Sequence, residues 1–168
     1  AIISLKEHFH KKITILFGCG GERDKTKRKL MGQVAKKFCD KIYVTDDNPR
    51  KENAKKIRKE IMKVLKKSSA KEIGDRKKAI IYAMKNSDPY EIILVAGKGH
   101  ETYQDLGSKR IFFSDKNIIK NFKNNKISSN LKINNLKHNS LVLKKTLKIN
   151  ENYFFDNVSI DSRTIKKN

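Results

Sequence analysis

The residues best suited to bind a polar ligand lie in the loop Asp46–Arg50, which directly follows an apolar, strand-like run. Pro49 fixes its own φ and disfavours helical geometry at the residue before it, so the loop is expected to be stiff. Asp47, Asn48 and Arg50 offer a carboxylate, an amide and a guanidinium within a few positions. We expect these three side chains to project from the loop toward a ligand.

Two glycine-rich loops follow other apolar runs in the same way. Gly18–Asp24 comes after Ile13–Phe17, and Gly97–Glu101 comes after Glu91–Ala96, the most apolar run of the chain. In open α/β sheets, ligands bind where the parallel strands end. The three loops are therefore predicted to converge on one crevice.

The side chains of these loops are complementary to a zwitterion. In a chain that otherwise favours lysine, Arg23, Arg28 and Arg50 lie in or beside turn-rich loops, where a planar guanidinium can donate two parallel hydrogen bonds to one carboxylate. Asn48 adds an amide, and Glu101 offers a negative charge to an ammonium group. The combination predicts a ligand that carries both charges.

The first glycine-rich loop carries no nucleotide-binding signature. Its three glycines, and the start of a predicted helix over 27–40, would let backbone N–H groups bind an anion. However, the chain contains no GxxxxGK[ST] motif, and the loop lacks the GxGxxG spacing. Neither ATP nor NAD binding follows from it, and a tight strand-to-helix turn without a ligand is the alternative.

The elements that position these loops alternate between strands and helices. This alternation predicts an α/β fold, a Rossmann-like, mostly parallel sheet flanked by helices. The run 91–96 is expected to be a central strand covered on both faces. The predicted strands are 13–17, 41–45, 71–73 and 91–96, with a hairpin over 102–106 and 110–113; the predicted helices are 1–10, 27–40, 53–67, one capped by Asp75, and one capped by Ser114 or Asp115 that ends at Phe122.

Composition limits the classes of function. A net charge of +22 and a pI near 10.0 suggest nucleic acid as a partner. The lysines are spread over nearly every segment, and no stacking platform or nucleic-acid motif is apparent, so a basic nucleic-acid-binding module is kept as the alternative reading only. Cys19 and Cys39 lack metal-site spacing and are predicted to be reduced thiols of a cytoplasmic protein. No apolar stretch approaches the roughly 20 residues that span a bilayer, so no membrane partner is expected.

Apolar patterning also divides the chain. It continues to about Phe122 and predicts one domain over residues 1–122. Residues 123–135 are polar and low in complexity, which is typical of a linker. Residues 136–168 hold too little apolar mass to fold alone and are interpreted as an incomplete second domain.

Taken in order and with their spacing, Gly18–Asp24, Lys25–Gly32, Asp46–Arg50 and Gly97–Glu101 resemble the C-terminal domain of the Mur ligases, in particular of the members that add meso-diaminopimelate. The resemblance implies a fragment of an ATP-dependent amide ligase of peptidoglycan-precursor synthesis. That enzyme joins meso-diaminopimelate to UDP-N-acetylmuramoyl-L-alanyl-D-glutamate through an acyl phosphate. The resemblance implies ATP and Mg²⁺ as cofactors of the full-length enzyme, bound mainly by a central domain whose motifs are missing here, so this chain alone is expected to be inactive.

The same resemblance implies roles for individual residues. The residues implied to contact the carboxylates of diaminopimelate are Arg23, Asn48 and Arg50. Those implied to hold its distal ammonium are Gly97 and Glu101. The supporting loop residues are Asp47, Pro49 and His100, of which the last is interpreted as ordering its loop. No catalytic residue and no metal ligand are assigned in this chain. Arg50 favours diaminopimelate over lysine, because a lysine ligand would leave the charge of this arginine unpaired.

Two positions depart from the family pattern, and the tail carries a second resemblance. Lys29 stands where the family usually has proline, and Thr26 where glycine is common. Residues 157–165 resemble the start of the N-terminal, UDP-binding domain of another Mur ligase. The order of the two resemblances implies a fused pair of ligases.

Overall fold

Four parallel strands form one sheet, and two short antiparallel strands form a separate ribbon. The computed structural model describes residues 2–66 and 69–124. The predicted second domain, and the predicted linker from residue 125 onward, lie outside the described residues. The elements are α1 (Ile2–Phe9), β1 (Ile13–Phe17), α2 (Thr26–Phe38), β2 (Lys41–Val44), α3 (Ala54–Val64), β3 (Ala70–Glu72), α4 (Arg76–Lys85), β4 (Ile92–Val95), β5 (Tyr103–Asp105), β6 (Arg110–Phe112) and α5 (115–124).

The strand β1 lies inside the sheet and is buried along its whole length. Its β-branched and aromatic side chains suit a pleated surface that is covered on both faces. The strand pairs in parallel with β2 on one side and with β4 on the other, so that Ile15 lies opposite both Ile42 and Leu94. These neighbours form the centre of the apolar core.

Helices cover the sheet on both faces. The core on one face joins β1 and β2 to Ala35 of α2 and to Ile57 and Ile61 of α3. The helix α4 contacts β1 and β4 and buries Ala79 and Ile80. The described residues up to Ile118 form one compact unit. This architecture confirms the predicted α/β fold class.

Side chains cap three of the helices at their first turn. Asn53 accepts a hydrogen bond from the N–H of Lys56 at 3.0 Å, and Asp75 accepts one from the N–H of Lys78 at 2.9 Å. Each cap pairs a donor that the helix leaves without an internal partner. Of the two predicted caps of α5, Ser114 accepts from the N–H of residue 117 at 3.3 Å, so that serine is the cap.

The strand order is β3-β2-β1-β4, so the chain first steps outward from β1 and then returns to its other side. Loops that leave β1 and β4 therefore diverge in opposite directions. The region between them at the carboxyl edge of the sheet, here called the crevice, is where ligands bind in open α/β sheets. The expectation that β4 is a central strand was wrong: among the described strands it pairs only with β1. Its apolar run places Leu94 in the core and contacts α4. Such a run carries no information on the lateral position of a strand.

Candidate functional site

The three loops named from the sequence meet at the carboxyl edge of the sheet. The N–H of Gly21 donates to the carbonyl of Asn48 at 2.9 Å, and Nη1 of Arg50 donates to the carbonyl of Gly21 at 2.6 Å. A Cβ placed on Gly97 would lie 3.0 Å from Oδ2 of Asp47. The predicted convergence of the loops is therefore confirmed.

The glycines of the first loop make room for the second loop. A Cβ on Gly18 would lie 2.4 Å from the carbonyl oxygen of Thr45, and one on Gly21 would lie 1.9 Å from that of Pro49. Real Cβ atoms do not approach backbone oxygen so closely. The sequence predicts that these glycines admit a ligand, whereas at these two positions the neighbouring loop fills the space.

Asn48 faces the interior of the domain. It is 4% exposed, and its Oδ1 accepts from Nζ of Lys98 at 2.8 Å and from the N–H of Asp105 at 3.0 Å. Its Nδ2 donates to Oε2 of Glu101 at 2.9 Å. The expectation that this side chain projects outward was wrong, because the buried amide finds its partners inside the loop cluster.

Lys98 is a functional candidate that the sequence analysis did not single out. Its side chain is wholly buried, and Nζ donates to Oδ1 of Asn48 and, at 2.7 Å, to the carbonyl of Tyr103. The same nitrogen lies 3.5 Å from a carboxylate oxygen of Asp47 and 3.5 Å from one of Glu101. A buried ammonium with paired charges and carbonyl partners binds several loops together.

The ribbon of β5 and β6 also packs against the loop Asp46–Arg50. The N–H of Arg50 donates to the carbonyl of Asp105 at 3.0 Å, and Nε2 of Gln104 donates to the carbonyl of Asp47 at 2.6 Å. The turn of the ribbon approaches just as closely, since a Cβ on Gly107 would lie 2.6 Å from the carbonyl oxygen of Arg50. The hairpin itself is predicted by the sequence, but its packing against the site is not.

Arg50 lies at the rim of the crevice in a left-handed backbone conformation, with φ of 50°. Among the described residues, its bond to Gly21 is the one side-chain hydrogen bond of this arginine. Arg23 is exposed near it: a Cβ on Gly20 would lie 2.9 Å from Nη1 of Arg50 and 3.5 Å from Cγ of Arg23. The structure thus brings the two arginines together on one side of the loops.

Asp47 is mostly buried beneath the loops. Burial raises the pKa of its carboxyl group, and the positive charges of Arg76 and Lys98 offset part of that shift. Within the described part of the chain, Oδ1 has no hydrogen-bond partner. Its nearest cation is Lys98 at 3.5 Å, an ion-pair distance that is long for a hydrogen bond. The crevice therefore contains a carboxylate that is only partly satisfied.

Three arginines behind the site hold the loops in place. Nη2 of Arg28 donates to both carboxylate oxygens of Glu52 at 2.9 and 3.0 Å and to the carbonyl of Gly20 at 3.4 Å, and Nη1 donates to Glu60 at 2.8 Å. Arg58 pairs with the carboxylate of Asp46. The third clamp, Arg76, donates to the carbonyl at the end of β4 at 2.9 Å and pairs with the carboxylate at the start of α5 at 2.7 Å. The two parallel bonds expected from the Arg28 guanidinium to one carboxylate are not formed, because its two terminal nitrogens bond different carboxylates of the fold.

The remaining predicted site residues differ in exposure. Pro49 is buried, whereas Gly97 and His100 are exposed, and Gly97 has a positive φ of 113°. Residues 2–66 and 69–124 contain no group of His, Cys, Asp or Glu side chains that could hold a metal ion. In the same two ranges, every helix is too short or too polar to cross a bilayer.

These observations define the class of the protein: a Rossmann-like α/β domain whose polar loops gather at a topological switch point. The family model described as "Mur ligase, glutamate ligase domain" matches residues 1–99, and the chain belongs to this family.

Relatives and a solved structure make the likeness more particular. The chain is 47% identical over 124 residues to the UDP-N-acetylmuramoyl-L-alanyl-D-glutamate--2,6-diaminopimelate ligase of Rickettsia prowazekii (strain Madrid E), covering 73% of this chain and 26% of the relative. It is 50% identical over 125 residues to the ligase of the same name from Buchnera aphidicola subsp. Baizongia pistaciae (strain Bp), covering 73% of this chain and 25% of the relative. A solved structure with that ligase name superposes with a TM-score of 0.69 at 32% identity, covering 74% of this chain and 26% of the other. The chain thus spans about a quarter of the length of the curated relatives that it matches.

Proposed function

We propose that this domain holds the amino-acid substrate of a ligase that adds meso-diaminopimelate to UDP-N-acetylmuramoyl-L-alanyl-D-glutamate. The observation that carries the proposal is the joint placement of Arg50 and Glu101. The backbone carbonyl of Asn48 accepts a hydrogen bond from the N–H of Gly21, and the carbonyl of Gly21 accepts one from the Arg50 guanidinium. The side chain of Asn48 donates to the carboxylate of Glu101. A zwitterion whose distal end carries both a carboxylate and an ammonium matches this pair of charges.

The residues of this chain would bind and orient the nucleophile. In the proposed reaction, ATP with Mg²⁺ supplies the phosphoryl group that activates the D-glutamate carboxylate as an acyl phosphate. That transfer would release ADP. The amine of diaminopimelate would then attack the acyl carbon, an amide would form with loss of a proton from the amine, and phosphate would leave. No protein nucleophile is required, so fixing the distal end of the amino acid and aiming its reactive amine is the contribution assigned here. The described residues offer no metal cluster, and ATP and Mg²⁺ are assigned to other parts of a full-length enzyme.

Specificity against lysine would come from Arg50. Diaminopimelate differs from lysine by one carboxylate, and Arg23 lies close enough to reinforce the positive charge at this rim. A lysine ligand would leave the guanidinium of Arg50 without that partner. A lost hydrogen bond to a charged group costs about 1.5–3 kcal/mol, which corresponds to about tenfold or more in affinity.

Calorimetric titration of the 168-residue chain with meso-diaminopimelate tests the proposal. We expect binding that is selective over lysine, and an Arg50→Ala variant that loses at least about tenfold in affinity. Lys77→Ala, which removes one positive charge from an exposed position of α4, is the matched control and should bind as the wild type does. Equal binding of both amino acids, or an unaffected Arg50→Ala variant, would contradict the proposal. ATP-dependent ligation by this chain alone would contradict the assignment of ATP to other parts of the enzyme.

A second candidate function, nucleic-acid binding, is favoured by the net charge of +22. It predicts an affinity for DNA or RNA that falls steeply as salt is raised, because each phosphate contact releases counterions. We expect only weak binding without sequence preference. Tight, sequence-dependent binding would favour this candidate over the ligase.

We also propose that residues 136–168 begin a second Mur ligase fused to the first, and that the enzyme acts in the cytoplasm. The resemblance of residues 157–165 to a UDP-binding domain supports the fusion. A reading frame that continues past Asn168 into a GxxxxGK[ST] motif is the expected result. A stop codon directly after Asn168 would refute the fusion.

A further inference from the structure

Lys98 occupies a position from which it can control the ligand-facing groups without touching the ligand. Its side chain is wholly buried, whereas that of Glu101 is about one third exposed. We propose, on the basis of the function proposed above, that Lys98 is the positioning residue that gives this site its selectivity for the distal ammonium of the amino acid. It acts through Asn48 and Glu101.

The first step is the orientation of the Asn48 amide. Lys98 donates to Oδ1 at 2.8 Å, and the N–H of Asp105 donates to the same oxygen at 3.0 Å. Turning the amide over would place its NH₂ group against both donors. The ammonium therefore fixes Nδ2 on the side where it bonds Glu101.

The second step is the position of the Glu101 carboxylate. Oε2 accepts from Nδ2 of Asn48 at 2.9 Å and lies 3.5 Å from Nζ of Lys98. Both contacts fall on the same oxygen. The carboxylate is thus anchored through Oε2, and Oε1 is the oxygen that can accept from an incoming ammonium.

The third step is the charge of the cluster. One ammonium lies 3.5 Å from each of two carboxylates, those of Asp47 and Glu101. The charge of Arg76 also acts on Asp47, but Arg76 is itself paired with Asp115, so the cluster keeps an excess of one negative charge. A ligand ammonium completes the balance. Because Asp47 is the more buried of the two carboxylates, the uncompensated charge is presented to the crevice by Glu101.

The test separates positioning from charge with three variants of the full chain. Lys98→Met removes the ammonium, but it also leaves Asp47 buried without its nearest cation and can impair folding. Lys98→Met combined with Asp47→Asn keeps the net charge of the cluster and removes only the donor, while Asp47→Asn alone keeps the donor. Lys77→Met, at an exposed position of α4, controls for the loss of a lysine. The ¹H–¹⁵N spectrum of each variant reports whether it folds.

Three ligands resolve the selectivity in calorimetric titrations. They are meso-diaminopimelate, 2-aminopimelate, which lacks the distal amine, and lysine, which lacks the distal carboxylate. In the double variant we expect the preference for diaminopimelate over 2-aminopimelate to fall by about tenfold or more, as for a lost charged hydrogen bond. The preference over lysine, which is assigned to Arg50, should be retained. Asp47→Asn removes a negative charge but keeps the Lys98 donor, so it should weaken the preference for the distal ammonium less than the double variant does.

Each outcome bears on one proposal. If the double variant bound all three ligands more weakly by the same factor, the role of Lys98 would be merely structural and the inference would be overturned. Unchanged side-chain amide resonances of Asn48 in the unliganded double variant would also overturn it, since no reorientation would have occurred. Failure of the wild-type chain to bind diaminopimelate, or binding that is indifferent to Arg50→Ala, would overturn the proposed function and the selectivity assigned to Lys98 with it.

Discussion

The two edges of the parallel sheet both carry buried charges, but they satisfy them differently. At the amino edge, Glu91 receives hydrogen bonds from Thr14 on one oxygen and from Lys41 and the N–H of Asp88 on the other. At the carboxyl edge, Asp47 keeps one oxygen without a hydrogen bond among the described residues. The amino-edge carboxylate is saturated, and the carboxyl-edge carboxylate is not.

The backbone shows the same contrast. Glu22 and Arg50 at the carboxyl edge have φ values of 52° and 50°, in loops that the fold holds in place through neighbouring backbone. His10, before β1, also has a positive φ, but its N–H bonds the carbonyl of Lys6 and it simply ends α1. Backbone strain at a loop cluster that also contains an incompletely bonded carboxylate is typical of a binding site. The amino edge therefore has a structural role, whereas the carboxyl edge has the features of a binding site.

The largest effect is expected where the carboxyl edge is anchored, at Arg76. This side chain is fully buried, pairs with Asp115 and donates to the carbonyls of Asp46 and Ala96. Arg76→Met would leave the Asp115 carboxylate buried without its partner. We expect the free energy of unfolding to fall by about 3–5 kcal/mol, measured by urea denaturation.

The control for this prediction removes both charges. Arg76→Met combined with Asp115→Leu should recover much of the lost stability, because replacing a whole buried ion pair by apolar side chains is often neutral. A single variant that loses less than about 1 kcal/mol would show that the carboxyl edge does not depend on this clamp.

The next effect is on the pH dependence of stability. Ionisation of Glu91 at the amino edge should stabilise the fold, and ionisation of Asp47 at the carboxyl edge should destabilise it. Burial raises the pKa of Glu91, but bonds from Thr14 and Lys41 outweigh it, so the net pKa lies below its usual 4.5. The stabilisation by Glu91 is then present above pH 4.5 and is lost as pH falls through the folded-state pKa. Glu91→Gln should flatten that part of the pH profile of the urea midpoint.

Asp47 should behave in the reverse sense. Its pKa is raised above 3.8 by burial, so the folded state holds this proton more tightly than the unfolded state does. Its contribution to stability is greatest at low pH and is lost as pH rises from 3.8 through the folded-state pKa. Asp47→Asn should remove this loss of stability with rising pH. If Asp47→Asn instead removed a gain of stability with rising pH, as Glu91→Gln should, the comparison would be contradicted.

The elements of the fold were predictable because their signals are local. The buried run of β1, the side-chain cap Asp75 and the hairpin all follow from short patterns, and the structure has them at or near the expected residues. The meeting of the loops followed from a general rule about parallel sheets. The lateral position of β4 did not, because strand order depends on contacts between distant parts of the chain.

The interior of the site was not predictable for the same reason. Lys98 is one of 40 lysines and arginines, and nothing in its local sequence marks it as buried. Asn48 turns inward because Lys98 and Asp105, about fifty or more positions further along the chain, supply its partners. A glycine in the hairpin turn, Gly107, was the available hint that the ribbon packs on another backbone.

A smaller effect should isolate the backbone strain at the carboxyl edge. Arg50→Gly and Arg50→Ala both remove the guanidinium, but glycine adopts a positive φ readily and alanine does not. We expect the glycine variant to be the more stable of the two by about 1 kcal/mol in urea denaturation. An alanine variant of equal or greater stability would show that the φ of 50° carries no strain.

The smallest difference is expected between the two thiols, which lie near opposite edges. Burial raises the pKa of Cys19 and of Cys39 to about 11, so both thiolate fractions at pH 8 should be about 100-fold below that of a thiol at the ordinary 9.0. Iodoacetamide should therefore modify both slowly and at similar rates, as measured by peptide mass spectrometry. The charges differ around them, with Arg28 and Asp47 near Cys19 and Asp40 and Lys6 near Cys39, yet burial dominates at each. If Cys19 alone reacts rapidly, the carboxyl edge opens in solution more readily than the amino edge, and diaminopimelate should then slow its modification and leave Cys39 unchanged.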